Sequence, residues 1–505
     1  MRVDEFDGHN SKPQMQRSWS ETLGTPMNKA SFESAPVYGV PTSTQGPEYF
    51  AGAPQDGTKT LLIVMVGLPA RGKTFLAQKL CRLLGWHGIT SQTLNVQVGW
   101  KQKLKEHLNV DENVPVVANA SAFEEVYTTG TAMRALYSSV LDIFAEEAKN
   151  FYSQGGVVVV LNDDFISSNL RDEVEEKFGS LATSTIFVEV QRSGSANSKF
   201  DALKASDPEE YPRSATHIGG TEGVTSALPN PENDFCLRVK FLEQRYETMK
   251  PDGGRSYIKI NNDVLEAHRV QGFLGGRIVS ILMNLSQFKI QHPIYFARHG
   301  QSMYNLEDRL GGDPVLTQKG ELDALSLKEL VKSLKAEEVA QGDCGDSAMQ
   351  LWTSQLKRAI QTAHPSSEEG IKVLRWSSLN EIHAGVCENL TYKEVEDQYP
   401  LISRFRSENK YTFRYPQGES YQDLVMRLEP VIMELENANR VVVVVAHQAV
   451  LRGLLAYFGS TSAESCVNVE VPHRTVWRCT YNSKGIATID VLKLGAPASG
   501  DGCKD

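Results

Sequence analysis

The chain is poor in cysteine, has no long hydrophobic run and carries no excess of basic residues. Its seven cysteines are an odd number without a C-x-x-C spacing, which argues against a disulfide framework and a cysteine zinc site, so we expect reduced thiols. No stretch approaches the roughly 18 uninterrupted apolar residues of a membrane helix. The acidic, polar start MRVDEFDGHNSKPQ lacks the pattern of a secretory signal. These absences predict a cytoplasmic protein with no membrane partner.

The charge balance is acidic. A net charge of −10 disfavours nucleic-acid binding, which requires a basic face to neutralise phosphates. We therefore expect no nucleic-acid partner, and a small anionic substrate would have to be held by a local cluster of cations. A length of 505 residues exceeds the size at which one hydrophobic core keeps growing, so at least two domains are expected.

Composition divides the chain into four predicted regions. Residues 1–58 are rich in Ser, Thr, Pro, Gly and Gln, which predicts a disordered tail. Within it, Ser20 lies three residues after Arg17 and Thr25 precedes a proline, so both are candidate sites for a protein kinase that acts on the tail. The alternative is an unmodified tail, since such short patterns often arise by chance. Residues 59–290 and 291–492 are predicted domains, and residues 493–505 are a predicted C-terminal tail.

Apolar runs of strand length predict buried parallel strands in both domains. The predicted strands are 61–66, 157–161 and 186–188 in the first domain, with a helix over 74–84, and 294–297, 351–352 and 441–446 in the second. Because strand and helix patterns alternate, we predict the α/β class, with two doubly wound three-layer domains. Residues 219–233 are predicted to be a surface loop or insertion.

A phosphate-loop motif lies between the first predicted strand and helix, the context that G-x-x-x-x-G-K-[ST] requires. Its residues are Gly67, Leu68, Pro69, Ala70, Arg71, Gly72, Lys73 and Thr74. The glycines let backbone N–H groups face a phosphate, Lys73 reaches the β- and γ-phosphates, and the Thr74 hydroxyl is a candidate Mg²⁺ ligand. The alternative is a glycine turn with an incidental lysine, which this context disfavours.

Phosphoryl transfer also requires a carboxylate that organises the metal. The next predicted strand is followed by Asn162, Asp163 and Asp164. An amide therefore stands first, and either Asp163 or Asp164 is a candidate, one or two residues out of register.

Two histidines follow predicted strands of the second domain. His299 lies in ARHGQS and His447 ends the VVVVVAH run, with Arg298, Arg358 and Arg452 in the same half. Ligands of open α/β sheets bind at such strand ends. One imidazole can attack phosphorus while guanidinium groups hold the phosphoryl oxygens. The leaving alkoxide needs a proton, and Glu381 in LNEI is the candidate general acid.

The motif R-H-G-x-S, a later N-E-I and a later histidine after a strand resemble the histidine phosphatase superfamily. Together with GLPARGKT, the segments RHGQSMYN, KRAIQTA, LNEIHAGVCENLTY, YPQGESYQDLVMRLEPVIMELE and AHQAVLRGLLAYF resemble the bifunctional 6-phosphofructo-2-kinase/fructose-2,6-bisphosphatase family. The resemblance covers about residues 60 to 490 and is densest after 255.

The resemblance implies roles for individual residues. His299 matches the nucleophile, Glu381 the acid and base, and His447 the second histidine. Phosphate-binding positions match Arg298, Asn305 and Arg358, and substrate-binding positions match Tyr392, Arg406, Lys410, Tyr421, Gln448 and Arg452. The implied reaction is hydrolysis of fructose 2,6-bisphosphate to fructose 6-phosphate through a phosphohistidine. The phosphatase needs no cofactor, whereas the kinase-like domain implies ATP and Mg²⁺; the implied partners are sugar phosphates and ATP, and a homodimer is compatible with the sequence.

The chain also departs from the family. Gln301 stands where Glu is usual, and His383, where Asp is usual, is expected to influence proton release by Glu381. In the kinase half NDDFIS replaces DATNTT, and GWK replaces a Tyr-Arg-Arg, which leaves the cation Lys101. Lys204 remains a kinase candidate, and Tyr211 follows it with an apparent one-residue insertion.

Three hypotheses remain open. The leading one is a working fructose-2,6-bisphosphatase joined to a weak or inactive kinase domain that binds ATP. In the second hypothesis both activities are retained, with Asp163 or Asp164 in the role of the usual aspartate. The third is a nucleotide-binding regulatory protein whose two sites are both vestigial.

Overall fold

A computed structural model describes residues 37–38, 59–111, 114–192, 194, 196–207, 210–212, 216–218, 224–225, 230–262, 264–285, 292–340, 349–482 and 485–495. These residues fall into two compact units, and the main division lies between residues 285 and 292. The predicted phosphorylation sites Ser20 and Thr25 lie outside the described residues.

The N-terminal unit alternates strands and helices, as its apolar runs predict. Its elements are β1 (Val37–Tyr38), β2 (Leu61–Val66), α1 (Lys73–Trp86), β3 (Ser91–Asn95), α2 (Val96–His107), β4 (Val116–Ala118), α3 (Ala120–Val126), α4 (Ala132–Ser153), β5 (Val158–Asn162), α5 (Ser168–Phe178), β6 (Ser184–Gln191), α6 (Ala196–Ala205), β7 (Thr216–Ile218), β8 (Val224–Thr225), α7 (Pro231–Glu243), β9 (Tyr257–Asn261), β10 (Val264–His268) and α8 (Gly272–Leu285).

The described strands of this unit form a seven-stranded sheet in the order β1-β3-β5-β2-β6-β9-β10 and a smaller sheet β4-β7-β8. The five central strands are parallel, and β1 and β10 are antiparallel at the edges. Strand β2 is buried along its whole length, as expected for a strand covered on both faces. Because β5 and β2 are neighbours, the residues after both strands meet at one edge of the sheet.

Two predicted segments contain elements that the sequence did not suggest. Within residues 1–58, predicted to be a disordered tail, the structure describes only β1, in which Val37 pairs with Gln92 of β3, and disorder of the tail stays a prediction. The predicted loop 219–233 contains β8 and the start of α7. Asn230 caps α7 and Pro231 is its first residue, so the end of the predicted loop begins a helix.

The C-terminal unit is a second α/β unit. Its elements are β11 (Ile294–Arg298), α9 (Met303–Leu306), α10 (Gln318–Ala340), β12 (Met349–Thr353), α11 (Lys357–Ser367), β13 (Lys372–Arg375), α12 (Tyr392–Gln398), α13 (Pro400–Glu408), α14 (Tyr421–Arg427), α15 (Glu429–Glu436), β14 (Val441–Ala446), α16 (Gln448–Phe458), β15 (Thr475–Tyr481) and β16 (Ala487–Lys493).

The six-stranded sheet of this unit has the order β13-β12-β14-β11-β15-β16. The first four of these strands are parallel, and β15 and β16 are antiparallel. The parallel pairing of β11 with β14 brings His299 and His447, which follow these two strands, to the same edge. The α/β class predicted for both halves is confirmed. Within the described part of the chain, no helix has the length and apolar character needed to cross a membrane.

Candidate active sites

His299 lies immediately after β11 and is fully buried. Its Nδ1 is 2.7 Å from the carbonyl oxygen of Gly300, so this nitrogen carries the proton and donates, and Nε2 keeps its lone pair. The Gly300 N–H donates to the Thr362 hydroxyl over 2.9 Å. A Cβ at position 300 would lie 2.3 Å from the Gly320 carbonyl oxygen, so only glycine allows this loop to approach the start of α10. The backbone therefore fixes one tautomer of the imidazole.

His447 lies beside His299, with ring centroids 5.0 Å apart. Arg358 Nε donates to His447 Nδ1 over 3.2 Å. On the opposite side of the ring, Nε2 is 2.7 Å from the Ser354 hydroxyl oxygen. Because the guanidinium can only donate, Nδ1 must accept and Nε2 must carry the proton. Two side chains therefore hold the second imidazole neutral and in one orientation.

Glu381 faces the N-terminus of α16. Its Oε1 accepts from the Ala449 backbone N–H over 3.2 Å and from its own neighbour Ile382 N–H over 3.0 Å. Its charge acts on Arg298 and Arg358. One N–H group of the helix N-terminus and one N–H group of its own segment thus hold the carboxyl group near Arg298 and Arg358.

Burial is the main electrostatic influence on the two imidazoles. It lowers the pKa of His299 and of His447 well below the usual range, and the positive charge of Arg358 lowers both further. Burial also lowers the pKa of Arg298 to about 10. Neutral imidazoles surrounded by guanidinium groups suit an anionic ligand, because a nucleophile needs its lone pair and the phosphoryl oxygens need cations.

A second cationic group adjoins the imidazoles. Arg452 donates to the Tyr421 hydroxyl over 2.9 Å, and the Lys410 ammonium is 5.8 Å from the Tyr421 ring centroid. Arg406 lies 5.4 Å from the ring centroid of Tyr392. Burial, then the charges of Arg452 and Arg406, lower the pKa of Lys410 to about 8. The charge of Arg452 also acts on Arg298, next to His299, so this group is a candidate anion pocket beside the imidazoles.

Four residues singled out in the sequence have other contacts. Asn305 Oδ1 accepts from the backbone N–H and the hydroxyl of Ser302, both at 3.0 Å. Gln448 is the first residue of α16, between His447 and Ala449. Gln301 Oε1 accepts from the Thr317 hydroxyl over 3.2 Å. His383 Nδ1 accepts from the Gly385 N–H over 3.1 Å, so its ring is engaged with its own loop.

Sequence reasoning missed three supporting side chains. Ser354 follows β12, at the same sheet edge as the histidines, so its place after a strand was a usable signal. His473 Nδ1 is 3.0 Å from the His299 carbonyl oxygen, but it precedes the antiparallel strand β15, and no sequence pattern indicates a site residue before a strand of that direction. Arg427 donates to Glu419 and to the carbonyl groups of Ser378 and Asn380, which hold the segment before Glu381.

In the N-terminal unit the phosphate loop connects β2 to α1, as predicted. Gly67 has φ 140° and Gly72 has φ 92°, and a Cβ at Gly67 would lie 2.4 Å from the Val190 carbonyl oxygen. Arg71 forms an ion pair with Asp201 at 2.6 Å, and Ala70 packs against a small apolar cluster that includes Tyr211. The Lys73 ammonium donates to the Leu68 carbonyl oxygen over 2.6 Å. The positive φ angles of Gly67 and Gly72 and the close approach of Gly67 to Val190 show that this loop requires glycine at these positions.

The residues after β5 have distinct positions. Asn162 Nδ2 is 2.9 Å from the Thr74 hydroxyl oxygen. Asp164 forms an ion pair with Lys73 at 2.7 Å. Asp163 accepts from Gln97 over 2.8 Å and from Tyr137, and burial, with the charge of Asp164, raises its pKa to about 6. Of the two candidate aspartates, Asp164 is the one in contact with the phosphate loop.

Lys204 lies on α6 and forms ion pairs with Glu210 at 3.3 Å and with Asp207 at 3.7 Å. Lys101 of α2 and Arg238 of α7 contact the same Glu210 at 3.4 Å and 3.5 Å. The structure thus joins the predicted Lys204 to Lys101, the cation left in GWK. Arg238 and Glu210 complete the group, and no sequence motif had indicated them.

A nucleotide and a metal fit these residues to different degrees. The loop amides, Lys73 and the N-terminus of α1 fit a phosphate chain, and a shallow depression beside the loop is lined by Arg71, Phe75, Gln191, Arg192 and Asn262 among others. The Thr74 hydroxyl faces the neutral Asn162 amide, which is a poor match for Mg²⁺. Among the described residues no group of three His, Cys, Asp or Glu side chains is arranged to hold a metal ion.

The imidazole pair and its α/β sheet define the C-terminal unit as a histidine phosphatase, and residues 294–492 match the histidine phosphatase superfamily (branch 1). Residues 51–289 match the 6-phosphofructo-2-kinase family. The chain belongs to the bifunctional 6-phosphofructo-2-kinase/fructose-2,6-bisphosphatase family. The family resemblance of the sequence is therefore confirmed, and so is its implication that the chain is an enzyme.

Relatives match most of the chain. Human 6-phosphofructo-2-kinase/fructose-2,6-bisphosphatase 4 is 36% identical over 427 residues, 83% of this chain and 82% of that protein. A fructose-2,6-bisphosphatase of Saccharomyces cerevisiae is 32% identical over 449 residues, 88% of this chain and 90% of that protein. Among solved structures, the alpha-ribazole phosphatase from Shigella flexneri aligns with 42% of this chain and 100% of that chain, at 23% identity and a TM-score of 0.34.

Proposed function

We propose that the C-terminal unit hydrolyses the 2-phosphate of fructose 2,6-bisphosphate through a phosphohistidine at His299. The observation that carries the proposal is the buried pair of neutral imidazoles, 5.0 Å apart, with Arg358 bound to one of them. A related protein named a fructose-2,6-bisphosphatase covers 88% of the chain. The adjoining group of Arg406, Lys410 and Arg452 suits the 6-phosphate, because a substrate with two phosphates needs two cationic pockets.

In the first step Nε2 of His299 attacks phosphorus. The N–P bond forms while the bond from phosphorus to the oxygen on C2 breaks, and the proton of the Glu381 carboxyl group goes to the leaving oxygen. The Nδ1–H bond to Gly300 supports this step, because it leaves Nε2 unprotonated. Arg298 and Arg358 hold the phosphoryl oxygens as negative charge develops.

In the second step water attacks the phosphohistidine. The Glu381 carboxylate, deprotonated in the first step, takes a proton from that water. The P–N bond breaks, phosphate leaves, and His299 and the Glu381 carboxyl group return to their initial protonation states. His447 stays neutral throughout, because Arg358 occupies its Nδ1 and Ser354 accepts from its Nε2–H.

Phosphate release from fructose 2,6-bisphosphate tests this function in the full chain. We expect no turnover after His299→Ala, and a loss of about 10²-fold or more after Glu381→Gln. His364→Ala is the matched control, since this histidine is in the last turn of α11, and its rate should equal that of the parent. A parent chain that releases no phosphate from this substrate contradicts the proposal.

For the N-terminal unit we propose ATP binding with little or no phosphoryl transfer. The loop amides and Lys73 are arranged for a phosphate chain, which supports binding. Transfer is disfavoured because Asn162 faces the Thr74 hydroxyl where a metal-organising carboxylate is required. The nearest candidate replacement, Asp164, is engaged with Lys73.

Two measurements on the full chain test this second proposal. In the His299→Ala background, which removes the reverse hydrolysis, we expect no ATP-dependent formation of fructose 2,6-bisphosphate. ATP should still raise the unfolding temperature, and Lys73→Ala should abolish that shift. Clear product formation would mean that Asp163 or Asp164 serves the kinase reaction. No thermal shift with ATP would contradict the binding proposal.

A further inference from the structure

The cluster around Glu210 has the composition of an anion pocket that is filled by a side chain of the protein itself. Three cations from three helices, Lys101, Lys204 and Arg238, approach one carboxylate. Oε1 of Glu210 lies near Lys101 and Arg238, and Oε2 lies near Lys204. The three cations belong to α2, α6 and α7, so the fold and not one segment of the chain brings them together.

The cationic side of this pocket is built rigidly. Arg238 is almost fully buried and lies 5.4 Å from the ring centroids of both Phe123 and Tyr211. Its Nε donates to Asp234 over 2.9 Å, and its NH2 nitrogen donates to Ala118. These contacts use one side of the guanidinium group, and the third nitrogen, NH1, faces Glu210. The arginine is therefore preorganised to present one nitrogen to an anion.

Glu210 fits the pocket loosely. Its three ion-pair distances are 3.3 Å, 3.4 Å and 3.5 Å, longer than the roughly 2.7–2.9 Å of a charge-assisted hydrogen bond. A carboxylate has two oxygens to share among three donors. A phosphate monoester has three terminal oxygens and about twice the charge at neutral pH. The ligand chemistry that matches three converging cations is thus a phosphate monoester.

The position of the pocket connects it to the nucleotide loop. Lys204 is on the same helix as Asp201, which binds Arg71 of the loop at 2.6 Å. Ala70 of the loop packs against the apolar cluster of Tyr211, Val117, Ala205, Phe235 and Val239. A phosphorylated acceptor at Lys204 would therefore lie on elements that contact the phosphate loop.

We propose that Glu210 is a resident counter-anion of this pocket, which a phosphorylated sugar must displace to bind. The inference goes beyond the proposed function, which gives the N-terminal unit ATP binding alone, and it takes the phosphorylated sugar from the 6-phosphofructo-2-kinase family that this unit matches. Each binding event then includes the release of a carboxylate from three cations, so the apparent affinity is reduced by the fraction of time that Glu210 occupies the pocket.

Burial opposes ionisation of Glu210, but Lys101, Lys204 and Arg238 outweigh it and lower its pKa to about 2. Among the residues that the structure describes, the charged groups that face Glu210 are these three cations, and Asp207 and Asp234 each bind one of them in turn. The carboxylate thus stays ionised throughout the neutral range, and a change of pH between about 5 and 8 should not empty the pocket.

The test is calorimetric titration of the full chain with fructose 6-phosphate. The background is His299→Ala with Arg452→Met, which removes turnover and weakens the C-terminal anion pocket. Glu210→Gln removes the charge at constant size, and we expect the dissociation constant to fall about tenfold. Adding Arg238→Met to Glu210→Gln should reverse that gain. The affinity for unphosphorylated fructose should not change in Glu210→Gln.

The matched control is Glu146→Gln. This glutamate is in an exposed pair with Lys149 on α4 of the same unit, and its replacement should leave the affinity unchanged. A Glu210→Gln protein that melts like the parent and binds fructose 6-phosphate no more tightly would overturn the inference. A gain for fructose of the same size would overturn it as well. Phosphate release by the C-terminal unit is measured separately, so failure here and failure of the phosphatase proposal are distinguishable.

Discussion

At the scale of single residues, the chemistry of the C-terminal site depends on which nitrogen of each imidazole carries the proton. His299 and His447 both look like ordinary histidines in the sequence. Their difference comes from partners that are distant in the chain: a backbone carbonyl for His299 and the pair Arg358 and Ser354 for His447. Hydrogen-bond partners, more than residue identity, determine which nitrogen of each ring carries the proton and support our proposal that His299 is the nucleophile.

Ser354→Ala should therefore impair catalysis more than substrate binding. Without the acceptor for its Nε2–H, His447 loses its fixed orientation beside Arg358, and we expect a fall in kcat of about tenfold with little change in KM. The free energy of unfolding should fall by about 1 kcal/mol. Steady-state kinetics and chemical denaturation check both values.

Ser326→Ala is the matched control for Ser354. Ser326 is also a buried serine of the C-terminal unit, and its hydroxyl donates to the Leu322 carbonyl oxygen within α10. It should show a similar small loss of stability and normal kinetics. Equal kcat values for the two variants would contradict the positioning role of Ser354.

Lys410 predicts a pH dependence of substrate binding. Its pKa of about 8 means that the ammonium is charged below pH 8 and becomes neutral as the pH rises through that value. We therefore expect kcat/KM to fall above about pH 8, because this ratio reports on ionisations of the free enzyme. In Lys410→Arg the fall should move to higher pH, since a guanidinium stays charged. An unchanged profile in that variant would exclude Lys410 as the titrating group.

At the scale of elements, parallel strands bring the site together. His299 follows β11, Ser354 follows β12 and His447 follows β14, and these strands are parallel neighbours in the sheet. The apolar runs predicted β11 and β14 well, because a strand buried on both faces needs a continuous apolar segment. They also predicted that both histidines lie at the same edge, since β strands of one α/β sheet end together.

Other elements were out of reach of the same reasoning. Strand β15 is antiparallel, so His473 before it meets His299 after β11, and no local pattern reveals strand direction. The Glu210 cluster joins α2, α6 and α7, which no spacing in the sequence relates. The start of α7 falls inside the predicted loop 219–233, because Asn and Pro are common both in loops and at the first positions of a helix.

Gly300 lies where the loop after β11 approaches the start of α10. Because a Cβ there would meet the Gly320 carbonyl oxygen at 2.3 Å, Gly300→Ala should push β11 and the start of α10 apart. We expect a loss of about 2–3 kcal/mol in the free energy of unfolding and a large loss of phosphate release. The measurements are denaturant unfolding and the phosphatase assay.

Gly495 is the control for this substitution. A Cβ at that position meets nothing within 4 Å, so Gly495→Ala should be close to neutral in both measurements. If Gly300→Ala were as stable and as active as the parent, the close approach of the two backbones would not be required for stability or for phosphate release.

At the scale of the whole molecule, the chain joins two α/β units whose sites have diverged unequally from the family pattern. The C-terminal unit keeps the residues that we propose as nucleophile, acid and second histidine, together with two groups of cationic side chains. The N-terminal unit keeps the nucleotide loop, while Asn162 replaces an acidic residue and Glu210 fills a cationic pocket. Both departures reduce the expected rate of phosphoryl transfer from ATP, and neither affects the chemistry proposed at His299.

The central claim is that His299 accepts the 2-phosphate of fructose 2,6-bisphosphate. The most direct measurement is rapid acid-free quenching of the full chain after mixing with substrate labelled at the 2-phosphate, followed by mapping of the labelled peptide. We predict label on the peptide that contains His299 in the parent chain, and no label in His299→Ala. Release of labelled phosphate without any His299-dependent labelling, or no reaction with this substrate at all, would contradict the account.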